Sequence, residues 1–213
     1  MSSAAEESRT SRLELRATVL LAVATVATAW SGYQATRWNG EQAKAGARAS
    51  AMRIESSKAD AFANAQSQID VATFTQWVNA YALKQHELSD FYFRRFRPEF
   101  KPAVVAWIAT RPLKNASAPL TPFAMPQYHL AARDSAESLE ASAGVWALRA
   151  QTDIQRSSNY ILCVVLFTTA LFFASVSTKL QTPRLRKVLL GFGLVVFVAT
   201  LVWLATFPVS VSV

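Results

Sequence analysis

The sequence predicts an all-α membrane protein. It has three transmembrane helices and, between the first two, a long coiled-coil-like helical hairpin that is extracytoplasmic and capped by a small helical head. Three observations carry this reading. Three stretches are apolar enough to span a bilayer, proline is missing from most of the intervening chain, and small residues recur every seven positions in its later part.

The chain has 213 residues, 52% hydrophobic and 17% charged, with a net charge of +8. That balance suits one modest domain plus membrane segments. The excess charge gathers beside the apolar stretches, which argues against nucleic acid as a partner. A single cysteine, Cys163, excludes an intramolecular disulfide, and its apolar surroundings make it a small buried hydrophobe.

A helix needs about 20 apolar residues to cross a bilayer. Residues 17–33, 160–177 and 188–208 are the candidates, and none of them contains a charged residue. Residues 17–33 also admit a reading as a secretory signal, with "ATA" at 27–29 as the cleavage site. Trp30, Tyr33 and Trp38 favour a retained span, because they form an aromatic belt where it would leave the lipid.

Orientation follows from residues 178–187, "TKLQTPRLRK", a short loop with four basic residues and no acid. Such a loop stays in the cytoplasm. Residues 1–16 then form a disordered cytoplasmic tail, residues 34–159 lie outside, and residues 209–213 are a short external tail.

Residues 34–97 lack proline, whereas six of the eight prolines fall within 98–126. A long ascending helix, a proline-rich turn segment and a descending helix from about Gln127 through the second span follow. "AVVAWIA" at 103–109 reads as a short helix within the turn segment. On the descending helix Ala136, Ala143, Ala150 and Ser157 alternate with Leu139, Trp146 and Tyr160, and Asp153 interrupts the series. Small residues at this spacing let two helix backbones approach.

At about 1.5 Å per residue, residues 127–158 cover about 48 Å and residues 34–84 about 75 Å. Large aromatics begin where the ascending helix outruns its partner. Phe74, Trp77, Val78, Tyr81, Leu88, Phe91 and Tyr92 are expected to pack against Val104, Trp107 and Ile108 as the core of the head. The competing arrangement breaks the helix near "NAQSQID", at 64–70, and turns residues 70–97 back as a third helix of a bundle.

No catalytic, cofactor-binding or metal-binding set is predicted. His86 and His129 are separated by the proline-rich segment and lack further ligands at useful spacing. Glu137 and Glu140 suit the solvated first turns of a helix. There is no glycine-rich phosphate loop, nucleophile elbow or Cys-x-x-Cys, so an enzyme is not expected. "NAS" at 115–117 matches a glycosylation sequon, a pattern short enough to arise by chance. Spans without charge argue against a transport path. Their small residues Ala24, Thr28, Gly32, Ala170 and Ala174 suit helix packing, within one chain or in a homo-oligomer.

"DFYFRRFRPEF", at 90–100, is the densest cluster of aromatics and arginines. As a helix it places Leu88, Phe91, Tyr92 and Phe96 on one face and Asp90, Arg94 and Arg97 on the other, with Asp90 in reach of Arg94. Arg94, Arg97 and Lys101 are therefore the candidate contacts for an acidic protein partner.

The segments "AWSGYQATRWNGEQA", "FYFRRFRPEFKPAVVAW" and "PFAMPQYHLA", followed by a span, a basic turn and a further span, resemble uncharacterised three-span bacterial membrane proteins of a domain-of-unknown-function family. The resemblance implies a multi-pass protein of the bacterial inner membrane and brings no activity or site residue. The function expected is a structural or interaction subunit of the cell envelope, in contact with the lipid bilayer and a protein partner. The alternative is a ligand-sensing helical module that relays to a separate partner.

Overall fold

The computed structural model describes the backbone of residues 2–210, and the side chains of Leu15 and of residues 17–210. The described residues form five α-helices and a short 3-10 helix, Pro122–Ala124, with no strand. The helices are α1 Ser2–Ala82, α2 His86–Arg95, α3 Lys101–Ala109, α4 Ala131–Lys179 and α5 Pro183–Leu204.

Helix α1 is unbroken over 81 residues. It passes through 27–29 and through 64–70, so the break that the bundle arrangement needs is not there. It also includes residues 2–16, which the sequence reading leaves disordered. Extending an existing helix adds a hydrogen bond per residue without a new nucleus, and Ala, Glu, Arg and Leu accept it readily. Lys84 ends α1 in the left-handed region, at φ 56°. Its N–H donates to Tyr81 O at 3.1 Å and the Gln85 N–H to Ala80 O at 2.9 Å, closing the last turn.

Helix α4 begins at Ala131, not at Gln127. Pro126 is followed by a turn in which the Tyr128 N–H donates to Met125 O at 2.9 Å. The Tyr128 ring is held in an aromatic cluster, which delays the helix. Helix α5 begins on Pro183, where a missing N–H costs nothing. Among the described residues, α4 and α5 are the two helices long and apolar enough to cross a membrane. Helix α1, which holds residues 17–33, is not one of them.

The chain divides into two compact units, residues 1–47 with 146–213 and residues 48–145. In the first, Ala17, Leu20, Ala24, Cys163, Phe167, Ala170, Ala174, Leu190 and Phe197 form a buried cluster. Gly193 permits the approach of α5 to α4, because a Cβ there would lie 3.2 Å from Ala170 O. Polar bonds continue the packing. The Ser157 hydroxyl donates to Ala35 O at 2.9 Å. The Trp38 indole and the Tyr160 hydroxyl both donate to Pro208 O, at 3.2 and 3.1 Å.

The side chain of Gln34 binds Ser210 twice, donating to its carbonyl at 3.3 Å and accepting from its N–H at 2.9 Å. Ser210, within the stretch that the sequence reading makes a short external tail, is thus held; residues 211–213 of that tail lie outside the described residues. Asp153 does not leave the seam it interrupts. It is buried, and Arg156 donates to it at 3.0 Å while the guanidinium sits 4.5 Å from the Trp38 ring centre.

In the second unit α1 and α4 meet along Ser56, whose hydroxyl donates to Ala136 O at 2.8 Å. Arg133 reaches Asp60 at 3.3 Å and Asn64 at 2.8 Å. Ala63, Ala136 and Ala143 are buried. Beyond them the core is aromatic: Phe74, Trp77, Phe96, Phe100 and Val104, with Tyr92, Phe93, Trp107, Phe123 and Tyr128 packed against it.

Candidate interaction surface on the second unit

The aromatic core differs from the one read in the sequence. Phe74, Trp77, Tyr92, Val104 and Trp107 belong to it, but Leu88 and Phe91 are 41% and 43% exposed, and Val78, Tyr81 and Ile108 also reach solvent. The cause is the end of α2. The helix stops at Arg95, and Phe96, at φ −56° and ψ 140°, already leaves it. A helix ahead of Pro98 must end, because the residue before a proline avoids the helical region. The inward face of α2 is therefore Ser89, Tyr92 and Phe93. Phe96 and Phe100 enter the core from the turn that follows.

Phe100 organises that turn. Its ring stacks on Phe123 at 5.0 Å, with an interplanar angle of 4°, and meets Tyr128 edge-on at 5.6 Å. Edge-to-face pairs of this kind add to the area they bury. Phe100, Phe123 and Tyr128 were not singled out from the sequence. They lie among prolines, where no helical period can show which way a side chain points.

Behind the rings lies a buried polar cluster. The Arg97 guanidinium donates to Asp70 Oδ2 at 2.9 Å and also pairs with Glu99. The Tyr128 oxygen lies 3.2 Å from Asp70 Oδ2 and from Ser67 Oγ. Glu99 accepts from the Ala131 N–H at 3.5 Å, at the start of α4. Asp70 is 1% exposed, and its Oδ1 has no hydrogen-bond partner. Burial pushes its carboxyl above the usual range, against the opposing pull of Arg97 and Tyr128. Burial likewise raises the Tyr128 hydroxyl.

The three arginine and lysine positions singled out in the sequence therefore separate. Arg94 is exposed on the outer side of α2. Arg97 faces inward and is committed to Asp70, because a buried carboxylate so close holds any cation that can reach it. Lys101 lies over the Phe93 ring, 5.3 Å from its centre. Arg95 covers the exposed Phe91 ring at 4.7 Å. The expected Asp90–Arg94 pair does not form. His86 opens α2, and His129 pairs with Asp134 at 2.6 Å ahead of α4, far apart in the chain.

Fold and surface define an all-helical protein with two helices able to cross a membrane and an aromatic unit with a basic, partly apolar outer face. No family model, curated protein or solved structure matches the chain. A functional reading therefore draws on its own residues.

Proposed function

We propose that the chain is a three-span protein of the bacterial inner membrane. In this reading it is an interaction subunit of the cell envelope whose external head docks an acidic protein partner on the outer face of α2. The observation that carries the docking is that Leu88, Phe91, Arg94 and Arg95 are all exposed on one short helix. Apolar groups flanked by arginine are the composition of protein interfaces.

Residues 17–33 serve as the third span. Ala17, Leu20 and Ala24 share a buried cluster with α4 and α5, while Val19, Val23 and Val26 on the same stretch are exposed. Valines left outward beside an apolar core suit lipid as the surrounding solvent. The basic residues of 178–187 stay in the cytoplasm, which puts residues 34–159 outside. There α1 and α4 act as a coiled-coil-like hairpin. On α4 it uses Ala136, Ala143, Ala150 and Ser157, all buried and seven residues apart.

A reporter fused after Thr182 should behave as cytoplasmic and one within 113–120 as external; the reverse pair of results overturns the topology. For docking, a photo-crosslinker in place of Phe91 should trap an acidic envelope protein in cells. Arg94→Glu with Arg95→Glu should abolish that product, and the same two positions as lysine should keep it. An unchanged product in the Glu variant overturns the assignment. The alternative, a ligand-sensing module relaying to a separate partner, is favoured by a groove on another side of the same unit.

A further inference from the structure

That groove has a volume of about 370 Å³ and lies where α1 and α3 both end. We propose that it binds a small amphipathic organic anion, a carboxylate on an aromatic body. Its rings would lie against Trp77, Tyr81 and Trp107 and its carboxylate on Arg111, with Lys114 beside it. The inference does not rest on docking at α2.

The walls come first. Tyr81 stacks on the buried Trp77 ring at 5.6 Å with 25° between their planes, so Trp77 backs the wall and the exposed Tyr81 ring forms its open surface. Trp107 donates its indole N–H to Pro119 O at 2.7 Å. Its polar edge is satisfied, and what it turns to the groove is ring. Tyr81 is 55% and Ile108 41% exposed, so this apolar surface is left uncovered by the chain itself. The volume is at the lower end of small-molecule sites, roughly 300–1,000 Å³. It is too small for a folded segment and sufficient for a flat body of fused rings.

Charge then selects the ligand. Arg111 and Lys114 line the groove, are exposed, and take part in none of the ion pairs among the described residues. A guanidinium beside ring faces matches a carboxylate attached to an aromatic body, since it can bind both oxygens of the carboxylate at once.

The backbone at Arg111 is the independent sign. It lies at φ 54°, in the left-handed position that closes α3, with its N–H donating to Ile108 O at 3.0 Å. Glycine is the residue that this position favours, and a side chain there is strained. Pro112 follows, as is common after a helix end. The chain thus carries strain at the lip of a groove, in the residue whose charge would hold the ligand. Strain of this sort concentrates at binding sites.

The test uses the full chain in phosphatidylcholine nanodiscs and isothermal titration calorimetry. The probes are 2-naphthoate, its uncharged counterpart 2-naphthamide, and laurate as the aliphatic anion. Saturable binding of 2-naphthoate is expected, with 2-naphthamide and laurate each weaker by about tenfold or more, the scale of one charge-assisted hydrogen bond or of lost ring contacts. Arg111→Gly should weaken 2-naphthoate by a similar factor while leaving the thermal midpoint equal or higher, because glycine relieves the backbone. Folding and binding are thereby separated in one variant. Arg94→Glu with Arg95→Glu should leave 2-naphthoate binding unchanged. Absence of saturable 2-naphthoate binding, equal affinity for the amide, tighter binding of laurate, or an unaffected Arg111→Gly variant would each overturn the proposal.

Discussion

The two units close their helices by different chemistry. In the unit of residues 1–47 and 146–213 the small residues Ala17, Ala24, Ala170, Ala174 and Gly193 bring helices close around Leu20, Phe167, Leu190 and Phe197, and hydroxyl or indole donors bind backbone carbonyls of the neighbouring segment. In the unit of residues 48–145 the closure beyond Ala63 is made by rings, backed by a buried ion pair. The difference follows from what each set of helices must bury. Long apolar helices such as α4 and α5 gain from close backbone approach, which small residues at the contact permit. Short helices in a proline-rich connection have few turns with which to build a face. Large rings recover the area, at about 25 cal/mol per Å² of apolar surface buried.

The contrast can be broken first at Arg97. Arg97→Met leaves Asp70 buried without its cation and should cost the second unit about 3 kcal/mol, read as a drop in the denaturant midpoint of tryptophan fluorescence. Asp70→Asn combined with Arg97→Met should recover part of the loss. If the single change is neutral, the ion pair is not what backs the rings.

Next come two glycines of α5. A methyl at Gly193 would meet Ala170 O at 3.2 Å, whereas one at Gly191 meets nothing within 4 Å. Gly193→Ala should cost about 1–2 kcal/mol by crowding. Gly191→Ala should be neutral or stabilising by up to about 1 kcal/mol, from helix propensity. Thiol labelling of buried Cys163 during detergent-induced unfolding reads both. Equal effects would mean that close approach is not the device of the first unit.

A smaller effect tests what the units share. Ser157→Ala and Ser56→Ala each remove one bond from a buried hydroxyl to a backbone carbonyl, at 2.9 and 2.8 Å, and each should cost about 1 kcal/mol. Unequal losses would show that one unit uses such bonds more than the other.

The last test is a shift, not a loss. The raised Asp70 carboxyl binds its proton more tightly in the folded unit than in the unfolded chain. Between the ordinary value of 3.8 and its raised value, stability from this group therefore falls as pH rises. Acidification through that window should raise the thermal midpoint of the second unit, and Asp70→Asn should remove that component. A midpoint that falls as fast in wild type as in Asp70→Asn would contradict the direction.

How much was legible varied with the regularity of the chain. The seven-residue recurrence of Ala136, Ala143, Ala150 and Ser157 shows in the sequence because a long helix converts spacing into direction, and all four are buried. The same rule misdirects where the helix ends early. Leu88 and Phe91 keep helical spacing with Phe96, but α2 stops at Arg95, so the three do not share a face. Arg97 illustrates the other limit. Its position in a basic run suggests an outward charge, and only a carboxylate 27 residues earlier, on α1, turns it inward.

By itself the sequence determined that the chain is helical and which stretches are apolar, because these depend on composition, proline placement and local period; it left open whether the first long helix breaks at 64–70. The tertiary structure alone decided which rings fill the second unit, that Arg97 belongs to Asp70, and that Trp77, Tyr81 and Trp107 border a groove with Arg111 at its lip. Those facts depend on contacts between residues far apart in the chain and on backbone turns at Lys84, Phe96 and Arg111, for which no periodic signal exists.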